Sequence, residues 1–120
     1  INLHIGKYIP LNINEFNKDN KYLVFSGIGN HKTFVSMLKN YGINIIKDIE
    51  FPDHYKYTNY DINKILDLSN DLDYKIITTE KDYLRLDRDK IDNINFIKSE
   101  LKILDEDKLI STILKKDENN

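Results

Sequence analysis

Tyr22-Leu23-Val24-Phe25-Ser26-Gly27-Ile28-Gly29-Asn30 runs from four consecutive apolar residues into two closely spaced glycines and a residue suited to starting a helix. A short unbroken apolar run is what a strand needs when both of its faces are buried, as in a parallel sheet. The glycines allow a tight turn at its end, and Asn30 is expected to cap the helix that follows. Phe34, Val35, Leu38 and Tyr41 then recur at helical spacing, and Gly42 stands where a helix commonly stops.

The same alternation continues outward. Ile43, Ile45, Ile46 and Ile49 read as a second strand ended by Phe51-Pro52, because proline cannot donate to a ladder. Thr58, with Asp61 three residues on, reads as the start of a helix carrying Ile62, Ile65, Leu66 and Leu68 on one face. Lys75-Ile76-Ile77-Thr78 reads as a third strand, and Thr79 caps a short helix with Tyr83, Leu84 and Leu86. Ile94, Phe96 and Ile97 read as a fourth strand, with an apolar run that can continue through Leu101 and Ile103. Asp105 opens a last helix with Leu109, Ile110, Ile113 and Leu114 on one side. From residue 21 the order is β-α-β-α-β-α-β-α. The expected fold is therefore a Rossmann-like α/β three-layer sandwich, a single domain with a mainly parallel sheet of about four to five strands. Residues 1–20 read as an N-terminal arm or interdomain linker strand followed by a polar, Asn-rich loop. Residues 21–116 read as the α/β domain and 117–120 as a frayed tail.

Composition narrows function. The chain has 120 residues, 40% hydrophobic and 32% charged, with a net charge of -2. Nucleic-acid binding is not expected from a chain without a basic excess. It has no cysteine, so disulfides and thiolate metal sites are excluded. No apolar run approaches the ~20 residues of a membrane-spanning helix. A first residue of Ile1 reads as part of a longer protein.

Three segments can carry chemistry, each directly after a strand, where ligands bind in open α/β sheets. Ser26-Gly27-Ile28-Gly29-Asn30 is either a tight turn needing positive φ or an anion-holding turn of backbone N–H groups. It lacks the Gly-Lys-Ser/Thr ending of a P-loop and the third glycine of a dinucleotide fingerprint. Phe51-Pro52-Asp53-His54-Tyr55 places an imidazole, suited to proton transfer near neutrality, beside a carboxylate. A solvated loop histidine is the alternative. Thr78-Thr79-Glu80-Lys81-Asp82 is ordinary capping chemistry except for Lys81, a cation at a helix start where the dipole disfavours it. His4 and His31 have no metal-ligand spacing with Asp53 or His54, so no metal site is expected.

Taken together and in order, these segments resemble the C-terminal part of the tetraacyldisaccharide 4′-kinase family, the lipid A 4′-kinases. The resemblance runs from about Tyr22 to Leu86 and continues more weakly through the final helix. It implies an enzyme that transfers the γ-phosphate of ATP to the 4′-hydroxyl of a tetraacylated glucosamine disaccharide 1-phosphate. That enzyme works at the cytoplasmic face of the Gram-negative inner membrane. It implies an N-terminal P-loop domain that closes with the α/β domain over ATP and Mg2+. His54 would assist a catalytic aspartate of that domain, and Asp53 would orient the loop or His54. Gly27, Gly29, Asn30, Tyr55, Thr79, Lys81 and Asp82 would line the cleft. The Walker lysine, the magnesium carboxylates and the catalytic aspartate are not among these 120 residues, so the chain alone is expected to bind neither cofactor and to be inactive. The competing expectation is a non-catalytic module that binds a phosphorylated ligand or a partner chain.

Overall fold

Tyr22 to Phe25 are all buried, and they divide between two cores. Tyr22 and Val24 face one, Leu23 and Phe25 the other, as the period-2 alternation of a strand requires. The computed structural model describes residues 5–104. In chain order its elements are β1 (Ile5–Pro10), β2 (Lys21–Ser26), α1 (His31–Asn40), β3 (Asn44–Glu50), α2 (Asn59–Leu72), β4 (Lys75–Thr79), α3 (Glu80–Tyr83), β5 (Ile94–Ile97) and β6 (Ser99–Leu104). They fall into two units. One contains β1 paired antiparallel with β6; the other, Asn12–Lys98, is the α/β unit.

The sheet of the α/β unit has the order β3-β2-β4-β5 and is parallel throughout. Phe34, Val35 and Leu38 of α1 pack on one face with Ile77 and Ile97. Ile62 and Ile65 of α2 pack on the other with Ile76 and Ile94. This is the expected three-layer arrangement. The chain runs outward from β2 to β3 and then returns past β2 to β4, so β2 and β4 flank a switch point.

Local chemistry explains the helix ends. After α1, the N–H of Gly42 bonds the carbonyl of Lys39 and that of Ile43 bonds Leu38. This pattern needs the left-handed backbone of Gly42, at φ 88°. At the start of α2, Thr58 and Asp61 form a reciprocal capping box. Asn30 precedes α1 as expected, but its side chain makes no capping hydrogen bond; its φ and ψ of -125° and 53° lie outside the extended region typical of a side-chain cap.

Two expectations change. The loop after Asn12 contains a 3-10 turn, Ile13–Glu15, which buries Ile13 and packs Phe16 against the core. The apolar run from Ile94 is not one strand. It breaks at Lys98, whose N–H donates to Asn12 Oδ1 at 2.8 Å, while Asn12 Nδ2 donates to the Phe96 carbonyl at 2.9 Å. Asn12 thereby ties together the two ends of the α/β unit, and the residues beyond Lys98 pair with β1 instead. The helix expected from Asp105 and the tail at 117–120 lie outside the described residues. Among the described residues no helix is long and apolar enough to cross a membrane.

The capping box gives a pH-dependent prediction. The backbone N–H of Thr58, then its hydroxyl and that of Tyr55, hold the Asp61 carboxyl below the usual aspartate value of 3.8. A lowered native value stabilises above the unfolded value and is lost as the pH falls through that value toward the native one. Urea unfolding should show that Thr58→Ala costs about 1 kcal/mol, and that Asp61→Asn flattens the loss of stability below pH ~4.

Candidate functional site

Three loops meet at the carboxyl ends of β2, β3 and β4, and one buried carboxylate holds them. Asp82, in α3, is fully buried. Its Oδ1 accepts the Gly27 N–H at 3.0 Å and the Tyr57 O–H at 2.9 Å; its Oδ2 accepts the Thr79 hydroxyl at 2.6 Å. Thr79 Oγ1 in turn accepts the Asp82 N–H at 3.1 Å, the cap that starts α3. Burying a carboxylate is costly unless it is paired and hydrogen-bonded, and these partners, with Arg85 Nη1 at 3.8 Å, provide that. The Asp82 carboxylate thus occupies the crevice between β2 and β4 where this topology commonly binds ligands.

Gly27 is required there for proximity. A Cβ on it would lie 3.1 Å from the Pro52 carbonyl oxygen and 3.1 Å from the Tyr57 hydroxyl. Neither Gly27 nor Gly29 has positive φ; Gly42 alone among the described glycines does. The backbone freedom expected of this turn is therefore not used, and close approach replaces it. Gly29 and Asn30 are exposed. A Cβ on Gly29 would make only an ordinary 3.5 Å contact with Asp53 Oδ2.

Phe51, Tyr55 and Tyr57 form a ring cluster with Phe25, with centroids 4.9 to 6.3 Å apart. Tyr55 also donates to Asp61 Oδ2 at 2.9 Å. This cluster anchors the loop, while its tip stays in solvent. His54 is held with φ 59°, a left-handed conformation uncommon for a residue other than glycine. Its N–H donates to the Gly27 carbonyl at 3.0 Å, and the N–H of Tyr55 closes the turn onto Pro52. The imidazole is 79% exposed, with Nε2 3.8 Å from Asp53 Oδ1. Arg85 Nη2 lies 3.0 Å from its Nδ1.

The candidate residues of the sequence thus separate. Gly27, Thr79 and Asp82 join in the buried latch; Tyr55 belongs to the anchor; Asp53, His54, Gly29 and Asn30 are at the rim. Lys81 is exposed and makes no hydrogen bond or ion pair with the described residues. Arg85 is absent from the sequence candidates, since a lone arginine after a helix carries no motif. His31 also proves more than unremarkable. It is buried, with Nδ1 against Ser26 Oγ and Nε2 2.8 Å from Asp48 Oδ1. Its spacing with Phe34, Val35 and Leu38 puts it on the buried face of α1. Ser26 is fully buried and cannot reach a substrate, so this Ser-His-Asp set joins β2, α1 and β3 and is not a nucleophilic triad. His4 lies outside the described residues.

Two substitutions in the turn should differ. Gly27→Ala should cost about 1–3 kcal/mol through crowding against backbone, and Gly29→Ala should stay within ~0.5 kcal/mol, both read by denaturant unfolding. The Tyr57 hydroxyl is pushed far above the ordinary tyrosine value, by burial first and then by Asp82. A raised native value stabilises below the unfolded value and is lost as the pH rises past it. Stability should therefore fall above pH ~10 in the wild type. Tyr57→Phe should flatten that loss while costing about 1–2 kcal/mol at neutral pH.

Comparison with known proteins bears on this arrangement. A family model described as tetraacyldisaccharide-1-P 4'-kinase matches residues 8–118. The chain is 53% identical over 120 residues to the tetraacyldisaccharide 4'-kinase of Pelagibacter ubique (strain HTCC1062), a match covering 100% of this chain and 38% of that relative. It is 39% identical over 116 residues to the enzyme of the same description from Rickettsia akari (strain Hartford), covering 94% and 35%. The chain spans little more than a third of the length of these relatives. The crystal structure of the "apo" form of LpxK from Aquifex aeolicus in complex with ATP is similar with a TM-score of 0.53 and 24% identity, over 93% of this chain and 35% of that one; it supports the fold. The match over nearly the whole chain, together with the ordered motifs, places the chain in the tetraacyldisaccharide-1-P 4'-kinase family.

Proposed function

We propose that this chain is the smaller α/β part of an ATP-dependent lipid kinase, and that its contribution to the reaction is the Asp53-His54 tip. The observation that carries this reading is the convergence of the three family-like segments on one rim, with His54 at its exposed end. A histidine held in a strained backbone conformation, on a loop anchored to a rigid sheet, fits a functional role.

The chain's own residues do not fit the phosphates of a nucleotide. The Gly27 N–H is already taken by Asp82, and Asp53 lies against Gly29, so an anion entering the turn would meet carboxylates. Among the described residues no group of three or more His, Asp or Glu could hold a metal ion. We therefore assign ATP and Mg2+ to an N-terminal P-loop domain that the α/β unit Asn12–Lys98 would meet. ATP, bound there, supplies the phosphoryl group to the 4′-hydroxyl of a tetraacyldisaccharide 1-phosphate at the cytoplasmic face of the inner membrane.

In this arrangement His54 presents its exposed imidazole to the group that takes the hydroxyl proton. A neutral imidazole that carries its proton on Nε2 can donate a hydrogen bond from there to that group and stabilise its charge, and Asp53, 3.8 Å away, stabilises the ring in the orientation that faces it. The anchored backbone keeps the tip in place without help from substrate. Tyr55 and the Asp82 latch position the loop and do not touch the reacting atoms.

In the kinase formed by this chain and a P-loop domain, His54→Ala should lower turnover by about 10²–10⁴, measured as phosphate transfer from labelled ATP to the lipid. The chain alone should neither hydrolyse ATP nor phosphorylate the lipid. Unchanged turnover in His54→Ala would refute the assigned role.

A further inference from the structure

The imidazole of His54 is held by one side chain besides its neighbour Asp53. Its backbone is fixed by the N–H bond to Gly27 and by the Pro52–Tyr55 turn, but a side chain 79% exposed would otherwise sample its rotamers and both ring faces. Arg85 lies 31 residues on in sequence, yet its Nη2 is 3.0 Å from His54 Nδ1. The arginine is itself constrained at two points. Its backbone N–H donates to the Asp82 carbonyl at 3.0 Å, and its Nη1 lies 3.8 Å from the buried Asp82 Oδ1. Asp82 cannot move without breaking its bonds to Gly27, Tyr57 and Thr79.

We propose that Arg85 is a positioning residue, which carries the rigidity of the buried Asp82 latch out to the imidazole of His54 and fixes both its orientation and its tautomer. A guanidinium only donates hydrogen bonds. The nitrogen facing it must therefore be the unprotonated acceptor, so Nδ1 is bare and the ring proton sits on Nε2, the nitrogen nearest Asp53. A ring turned over would set a C–H against the guanidinium and lose the acceptor, and one protonated at Nδ1 would set two donors against each other. Asp82, Arg85, His54 and Asp53 thus form one chain from the sheet to the rim, in which each member limits the freedom of the next. The same planar geometry explains why lysine is no equivalent: its ammonium can replace the charge beside Asp82 but not the fork that reaches two partners at once.

The catalytic consequence rests on the kinase reading above; the positioning itself does not, and the test separates them. Long-range 15N–1H NMR on the full chain should show His54 as a single Nε2–H tautomer with restricted ring motion. In Arg85→Gln the ring should report both tautomers and averaged orientations, and Arg85→Lys should restore the wild-type pattern only in part. If Arg85→Gln loses the dispersed amide spectrum of the folded chain, the Arg85→Lys comparison carries the test. An unchanged tautomer and unchanged ring motion in a folded Arg85 variant would overturn the proposal. In the kinase joined to a P-loop domain, Arg85→Gln should lower kcat by about ten-fold or more, less than the ~10²–10⁴ expected for removing the imidazole, with KM changed by less than about two-fold. A tautomer change in the chain alongside normal turnover of His54→Ala would uphold the positioning and reject the kinase role of His54.

Discussion

A carboxylate buried at the switch point of a parallel sheet must find hydrogen bonds from its surroundings, and in this protein that requirement organises everything above the strands. Asp82 takes a backbone N–H from the loop after β2, a hydroxyl from the loop after β3 and another from the end of β4. Each bond to a charged acceptor is stronger than a neutral one, and leaving any of these donors unpaired in the interior would carry a desolvation cost. The three loops are therefore interdependent. Gly27 is glycine because the Pro52 carbonyl and the Tyr57 hydroxyl come within 3.1 Å of where a Cβ would stand, and the Asp53-His54 tip is carried on the segment between those two contacts.

This latch also separates the buried residues of the three loops from the exposed ones. In an open α/β sheet the crevice beyond the strand ends is the usual ligand site. Filling it with Asp82 makes a rigid mount and leaves Asp53 and His54 exposed at the rim. The aromatic cluster of Phe25, Phe51, Tyr55 and Tyr57 braces the mount from the other side. A loop held in this way can keep His54 at φ 59°, a conformation that an unsupported loop would relax away from. On the function proposed above, this mount positions a helper group and leaves phosphate and metal binding elsewhere.

The Ser26-His31-Asp48 set shows a related economy. It has the residue types of a hydrolase site, yet its burial makes it a structural brace, a run of polar bonds across β2, α1 and β3 directly beneath the Gly27–Asn30 turn. Residue types alone do not separate these outcomes. Solvent access does, and access is a property of packing.

Periodicity and local capping chemistry are what the sequence by itself determined. The apolar run Tyr22–Phe25 announced a strand buried on both faces, and Thr58 with Asp61, Thr79 with Asp82, and Gly42 marked helix ends. These signals depend on residues within about four positions of one another, so they survive without knowledge of the rest of the chain. The tertiary structure decided what those same residues do for one another at a distance. Asp82 reads locally as a first-turn acid; only the parallel pairing of β2 with β4 brings it to Gly27, 55 residues away. Arg85 has no motif around it and gains a role only because α3 ends beside the His54 loop. The break at Lys98 was equally hidden, because an apolar run does not say which strand it will pair with; Asn12, 86 residues earlier, supplies the bond at that break.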